Sequence, residues 1–185
     1  MSWIENLEIC FEHNDIISID ADAMVCPVSL QLNEYGKISH KIYEISHPNF
    51  KNDLYEIRKK LPDEHLILGQ AISINCKPEY HIGNFKILIF VALWDYQSEY
   101  NFNLFYKSYI NSLREAFHRN IKSIALPIMA YDSNLALCGK AIVKVIKDLD
   151  HLKKSSEFSL EKIYFTSNNM GHIEFLERHV EPKLY

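Results

Sequence analysis

The sequence has no long run of basic residues. Lysine and arginine occur singly or in short clusters such as Lys59-Lys60 and Lys153-Lys154, and the net charge of the 185 residues is -4. Proteins that hold a phosphate backbone carry a continuous basic stripe or patch. Nucleic acid is therefore not an expected partner.

Neither a membrane segment nor a secretion signal is expected. The first five residues do not combine a basic region with an apolar run, and the most apolar stretch, Ile87 to Trp94, covers only eight residues. About 20 apolar residues are needed to span a bilayer as a helix. We expect no membrane association and a cytoplasmic location.

Cysteine is scarce and its spacing carries no pattern. The four cysteines stand singly, without a C-x-x-C pair, and the nine histidines show no H-x-x-x-H spacing. Structural zinc sites and disulfide frameworks depend on such repeated spacings. We expect free, mostly buried thiols, no metal and no cofactor. Cys26, at the end of an apolar strand, has the alternative of a nucleophile if helix N-termini converge on its thiolate.

Apolar residues, in contrast, are plentiful and evenly spread. They make up 48% of the sequence, and only five glycines and six prolines interrupt it. This composition is typical of a globular chain, and the length suits one hydrophobic core. We expect a single domain over residues 1–185.

Hydrophobic periodicity predicts alternating strands and helices, with a hairpin at the third and fourth strands. Such alternation favours a three-layer α/β/α fold around a mixed, mostly parallel sheet. The predicted strands are Leu7 to Phe11, Ala23 to Val28, Ala71 to Cys76, Lys86 to Leu93, Ser123 to Met129 and Lys162 to Thr166, and the predicted helices are Ile38 to Ile45, Asn52 to Leu61, Asn101 to Arg119, Lys140 to Leu149 and Gly171 to His179.

In open α/β sheets, ligands bind beyond the carboxyl ends of the strands, where loops run into positively polarised helix N-termini. The loops expected there are 26–37, 92–101, 129–139 and 167–171. A binding site is therefore predicted at this edge of the sheet.

Several segments resemble the macro domain family, in family order over nearly the whole chain. The segments are His13-Asn14-Asp15-Ile16 (family G-D-I-T), Asp22-Ala23-Met24-Val25 (D-A-I-V), Leu68-Gly69-Gln70-Ala71 (T-G-E-A) and Lys122-Ser123-Ile124-Ala125-Leu126-Pro127 (R-S-I-A-F-P). The resemblance implies an ADP-ribose-binding fold in which Asp15 accepts a hydrogen bond from the adenine amino group.

The loops expected to bind depart from the family pattern. Cys26-Pro27-Val28-Ser29 stands where the family has N-A-A-N, so the asparagines associated with hydrolysis are missing. The first phosphate loop, 33–38, keeps only Gly36, and the second, 130–137, contains no glycine. A backbone wrapped around a diphosphate needs glycine and free N–H groups, and Asp132 adds a negative charge there.

The ligand-binding residues predicted from these loops include Lys37 for a phosphate or carboxylate and Tyr131 for ring stacking. Asn134 can take up a left-handed conformation in place of glycine. The complete predicted set is Asp15, Ile16, Cys26, Ser29, Gly36, Lys37, Ile38, Ala130, Tyr131, Asp132, Ser133, Asn134 and Asn168.

Three functions remain open at this point. The first is a binder of ADP-ribose, a related nucleotide or an ADP-ribosylated protein, without turnover. The second is a macro fold reused as a protein-interaction module, anchored by Tyr96, Tyr100, Phe102 and Tyr131. The third is a hydrolase using Asp132 and Lys41, residue types that resemble another macro branch that releases ADP-ribose from protein.

Overall fold

A computed structural model describes residues 7–95, 99–153 and 159–184. Six strands form one sheet with the order β1-β6-β5-β2-β4-β3. All neighbouring strands run parallel except β3, which pairs antiparallel with β4 in the predicted hairpin. The strands are β1 (Glu8–His13), β2 (Ala23–Ser29), β3 (Ala71–Asn75), β4 (Ile87–Trp94), β5 (Ser123–Pro127) and β6 (Lys162–Ser167).

Helices cover both faces of the sheet. Successive side chains of β2 point to opposite faces, so that Val25 packs into the core shared with α3 and α4, while Met24 and Cys26 pack into the core shared with α1 and α2. The three-layer prediction is confirmed. The helices are α1 (Gly36–Ile45), α2 (Pro48–Arg58), α3 (Phe102–His118), α4 (Leu135–Lys153) and α5 (Met170–His179).

Two helix starts differ from the prediction by more than two residues. Helix α2 begins at Pro48 rather than Asn52, because proline has no N–H to lose in a first turn. Helix α4 begins at Leu135 rather than Lys140, so part of the predicted loop 130–137 is helical. Leu135 and Cys138 lie on the same helix face as Ile142, two turns and one turn before it, and all three are buried. The buried face therefore extends the helix toward its N-terminus.

Candidate functional site

A cleft of about 680 Å³ lies at the carboxyl ends of the parallel strands, as predicted for this class of sheet. Its size is typical of small-molecule sites. The walls come from the segment after β1, the start of α1, the loop after β5 and the β6–α5 connection. Of the predicted residues, the cleft brings together Asp15, Ile16, Gly36, Lys37, Ile38, Ala130, Tyr131, Asp132, Ser133 and Asn168.

Asp15 caps a short 3-10 turn at one wall of the cleft. Its Oδ1 accepts a hydrogen bond from the Ile17 backbone N–H at 3.2 Å, and its Oδ2 pairs with the Lys41 ammonium of α1. The negative charge of the carboxylate is therefore balanced by Lys41, and the hydrogen bond from Ile17 fixes the orientation of the side chain. A ligand N–H donor would have to share this carboxylate with Lys41.

Helix α1 presents an open N-terminus to the cleft. Tyr35, at the N-cap position, makes no side-chain capping bond, and Gly36 has φ +73, with open space within 4 Å of the point where a side-chain Cβ would lie. Unpaired N–H groups at a helix N-terminus attract anions. Lys37 follows directly and lines the same cavity. This wall can accept an anionic group.

Tyr35 is held in place by an aromatic neighbour. Its ring stacks on Trp94 at the end of β4, with centroids 5.4 Å apart and planes 10° apart. The Ser39 hydroxyl contacts the Tyr35 backbone on both its N–H and its carbonyl side. The chain that leads into α1 is thus fixed from both the sheet and the helix.

The second loop closes on itself without glycine. The Tyr131 backbone N–H donates to Asn134 Oδ1 at 3.0 Å, and the Asn134 N–H donates to the Tyr131 carbonyl at 3.1 Å. Asn134 therefore stabilises the 3-10 turn Asp132–Asn134 that precedes α4, and its side chain is used within the loop. In this structure Asn134 does not line the cleft and is not in the left-handed conformation.

Asp132 is anchored by two residues that sequence reasoning did not select. His172 Nε2 lies 2.7 Å from Asp132 Oδ1, and Asn169 Nδ2 lies 3.4 Å from the same oxygen. The other ring nitrogen of His172 lies 3.3 Å from Ser167 Oγ. The carboxylate is 85% exposed, whereas the imidazole is only 11% exposed. The structure thus places a hydrogen-bonded line, Ser167–His172–Asp132, along one wall of the cleft.

The chemistry of this line is limited by the other bonds of Ser167. Its Oγ also accepts the Asn169 backbone N–H at 3.1 Å, in the turn that begins α5. If His172 Nδ1 accepts a hydrogen bond from the Ser167 hydroxyl, Nε2–H donates to Asp132. The arrangement orients Asp132. The sequence signal for it was the polar segment Ser167-Asn168-Asn169 followed by a histidine in the first turn of α5.

Three other residues singled out from the sequence do not line the cleft. Cys26 is fully buried beneath the α1 and α2 layer, and burial raises the pKa of its thiol well above the ordinary value, which does not suit a nucleophile. Ser29 is buried and its Oγ accepts the Asn33 N–H at 3.1 Å. Lys41 does not line the cleft and pairs with Asp15, whereas Asp132 contacts His172. Lys41 and Asp132 are therefore each engaged by a different residue.

The four aromatic residues of the interaction hypothesis differ in their placement. Tyr96 lies outside the described residues. Tyr100 is half-buried, with its ring stacked on Phe105 at 5.6 Å, and Phe102 stacks on Tyr106 at 6.2 Å. Tyr131 is 58% exposed and meets Tyr100 edge to face at 5.8 Å. Within residues 7–95, 99–153 and 159–184, the exposed anchor at the cleft mouth is Tyr131.

The part of the chain that the structure describes contains neither a membrane-spanning helix nor a cluster of metal ligands. Across the described ranges, no helix is long and apolar enough to cross a bilayer. In the same ranges, no three His, Cys, Asp or Glu side chains converge as ligands for a metal ion.

The fold is that of the macrodomains. The macro domain of ganglioside induced differentiation associated protein 2 is 16% identical, with a TM-score of 0.72, 91% of this chain covered and 82% of that one. An Oceanobacillus iheyensis macrodomain variant solved with ADPR is 14% identical, with a TM-score of 0.72 and coverages of 98% and 96%. The Trypanosoma brucei macrodomain in complex with ADP is 11% identical, with a TM-score of 0.71 and coverages of 95% and 69%.

Sequence comparison alone does not identify relatives of this chain. No protein-family model matches it, and no curated protein matches it either. The likeness to the macrodomains is therefore one of fold, at identities of 11% to 19% among the structures compared.

Proposed function

We propose that this protein binds ADP-ribose or a related nucleotide in the cleft, without turning it over. The observation that carries the proposal is that one cavity joins the open N-terminus of α1 at Gly36 to the carboxylate of Asp15. The first suits a phosphate and the second suits the amino group of a base. Structural neighbours with ADP or ADPR bound support this ligand class.

The charges that line the cleft are compatible with an anionic ligand in spite of two aspartates. Lys41 neutralises Asp15, and His172 holds Asp132. Within the described part of the chain, Lys37 forms no ion pair, so its ammonium is available to a phosphate. Opposite charges in a partly shielded cleft attract more strongly than in bulk water.

The contacts of Lys41 and Asp132, the catalytic residues of the hydrolase hypothesis, favour binding without hydrolysis. Lys41 is paired with Asp15 and Asp132 with His172, so neither presents an unengaged group to a bond that would be cleaved. The segment Cys26-Pro27-Val28-Ser29 is buried and offers no amide side chain. A candidate general acid or base must reach the reacting atom, and these residues are committed elsewhere.

Calorimetry with ADP-ribose tests the proposal. We expect measurable binding, and Asp15→Ala should weaken it about tenfold, because a shielded charge-assisted hydrogen bond contributes about 1.5 to 3 kcal/mol. Asp20→Ala, an exposed aspartate outside the cleft, is the matched control and should bind like the parent. No heat and no thermal shift at millimolar ADP-ribose would refute the proposal, because specific binding stabilises the folded state.

A protein-interaction role is the second candidate, and the exposed Tyr131 ring at the cleft mouth favours it. Tyrosine is enriched among the residues that carry interface energy. In this case a pull-down should capture a partner that Tyr131→Ala loses, while ADP-ribose gives no heat. Tight ADP-ribose binding with no captured partner would favour the first proposal instead.

A further inference from the structure

A second cavity, of about 300 Å³, opens between α4 and α5. None of its lining residues belongs to the cleft at the carboxyl ends of the strands. Gly139 and Val143 of α4 line it on one side, and Phe175 of α5 with Val180 lines it on the other. The size corresponds to the lower end of ligand pockets. We call this cavity the α4–α5 groove.

The floor of the groove depends on a glycine inside a helix. Gly139 is buried in α4, where glycine is a poor helix former. A Cβ at this position would lie 3.1 Å from the Phe175 ring and 3.1 Å from a Val180 methyl group. The absence of a side chain lets α5 approach α4 and leaves the partly buried Phe175 ring as a wall of the groove. This packing explains why a glycine stands in the second turn of α4.

The rim of the groove is basic on a protein of negative net charge. Lys140, His179 and Lys183 line it, and no Asp or Glu is among its lining residues. Among the residues that the structure describes, Lys140 and Lys183 form no ion pair, whereas Lys144, one turn further along α4, pairs with Asp148. The groove thus combines an apolar floor with two available ammonium groups.

We propose that the α4–α5 groove binds a small carboxylate that carries one aromatic ring. The ring would pack on Phe175 and against the valine methyl groups, since offset and edge-to-face aromatic contacts are favourable at centroid distances of about 4.5 to 7 Å. The carboxylate would accept charge-assisted hydrogen bonds from Lys140 and Lys183. Charge complementarity selects an acid over an amine of the same shape. The proposal does not depend on nucleotide binding in the cleft.

The test compares two probes that differ in charge, 3-phenylpropionate and 3-phenylpropylamine. In a ¹⁵N–¹H NMR titration of the full chain, the acid should shift the amides of Gly139, Phe175, Val180 and Lys183 in a saturable manner. The amine should bind at least tenfold more weakly. Saturating ADP-ribose should leave the titration unchanged, which separates this site from the cleft.

Charge reversal at the rim gives the matched control. The double variant Lys140→Glu with Lys183→Glu should weaken binding of the acid about tenfold, while Lys51→Glu with Lys60→Glu, which changes the net charge equally on exposed residues away from the groove, should leave it within twofold. Thermal melts verify that each variant folds. Shifts that do not map to the groove, equal binding of both probes, or equal loss in both double variants would overturn the proposal.

Discussion

Two aspartates, at opposite ends of the parallel strands, differ in burial and in the number of groups that they bind. At the amino end, Asp22 is 17% exposed; its Oδ2 accepts the N–H groups of Lys122 at 2.9 Å and Ser123 at 3.2 Å, and its Oδ1 pairs with Lys86. At the carboxyl end, Asp132 is 85% exposed and reaches His172 through a single oxygen. The first carboxylate joins strands together, whereas the second faces solvent at the cleft.

The segments that resemble the macro domain family contain residues whose bonds hold the fold together. Asp22 and Ser123 belong to segments that match the macro pattern, and they are bonded to each other at the amino end. Gly69, in a third matching segment, donates its N–H to Ala92 at 2.7 Å and accepts from Asn111 at 2.7 Å. These matches build the fold. The residues that could contact a ligand are the ones that diverged, with Asp15 as the exception.

The largest effect is expected from comparing two glycines with similar backbones. Gly69 has φ +78 and Gly36 has φ +73, but a Cβ at Gly69 would lie 2.8 Å from Lys107 Cβ, whereas at Gly36 it would meet open space. Gly69→Ala should lower the free energy of unfolding by about 2 to 5 kcal/mol, and Gly36→Ala only by the strain of about 1 to 2 kcal/mol. Urea denaturation measures both. Equal losses would contradict the fold-building role of Gly69.

A smaller and pH-dependent effect is expected at Asp22. Burial alone would raise the pKa of this carboxyl group, but the hydrogen bonds from Lys86, Lys122 and Ser123 outweigh it and hold the pKa below its ordinary value of 3.8. A lowered folded-state pKa stabilises the fold above the unfolded-state pKa, and this contribution is lost as the pH falls through the folded value.

Asp22→Ala should accordingly destabilise the protein at pH 7 by about 1 to 3 kcal/mol, since two backbone donors lose their charged acceptor. The difference from the parent should shrink as the pH falls below about 4. Urea denaturation from pH 7 to pH 3 measures it, with Asp20→Ala as the exposed control. A loss that stays constant over this range would mean that the charge of Asp22 does not contribute.

The smallest effect is expected at Asp132, as a gain in binding. Asp132→Asn keeps the shape of the side chain and removes a negative charge from the cleft, so ADP-ribose should bind about two- to fivefold more tightly, the range expected for an exposed charge pair. Asp63→Asn, which lies outside the cleft, should leave the affinity unchanged. A loss of affinity in Asp132→Asn would instead indicate that the ligand donates hydrogen bonds to this carboxylate.

Most elements of the fold could be predicted from the sequence because they depend on local periodicity. The alternating strands and the amphipathic helix α3 lie within a residue or two of their predicted bounds. The start of α4 was predicted five residues too late, because the burial of Leu135 and Cys138 on the inner face of the helix is seen only in the packed structure. Gly139, the last residue of the predicted loop 129–139, lies instead within α4 and packs against Phe175 and Val180.

The candidate site was only partly accessible to sequence reasoning. Strand ends and the loops that follow them placed Lys37, Tyr131 and Asp132 at one edge of the sheet, because parallel strands bring their carboxyl ends together. Asp15 was selected only through the resemblance to the macro domain family. The role of His172 was not predicted, since it is 40 residues from Asp132 and its orientation depends on how α5 packs.

The sequence by itself determined the layers, the alternation of strands and helices, and the edge of the sheet where a ligand can bind, because each follows from hydrophobic period and chain connectivity. Only the tertiary structure decided which polar groups in the cleft are already engaged. Lys41 reaches Asp15 across 26 residues, and Cys26 points into the core rather than the cleft. Such pairings depend on side-chain directions between elements distant in sequence, which no local pattern contains.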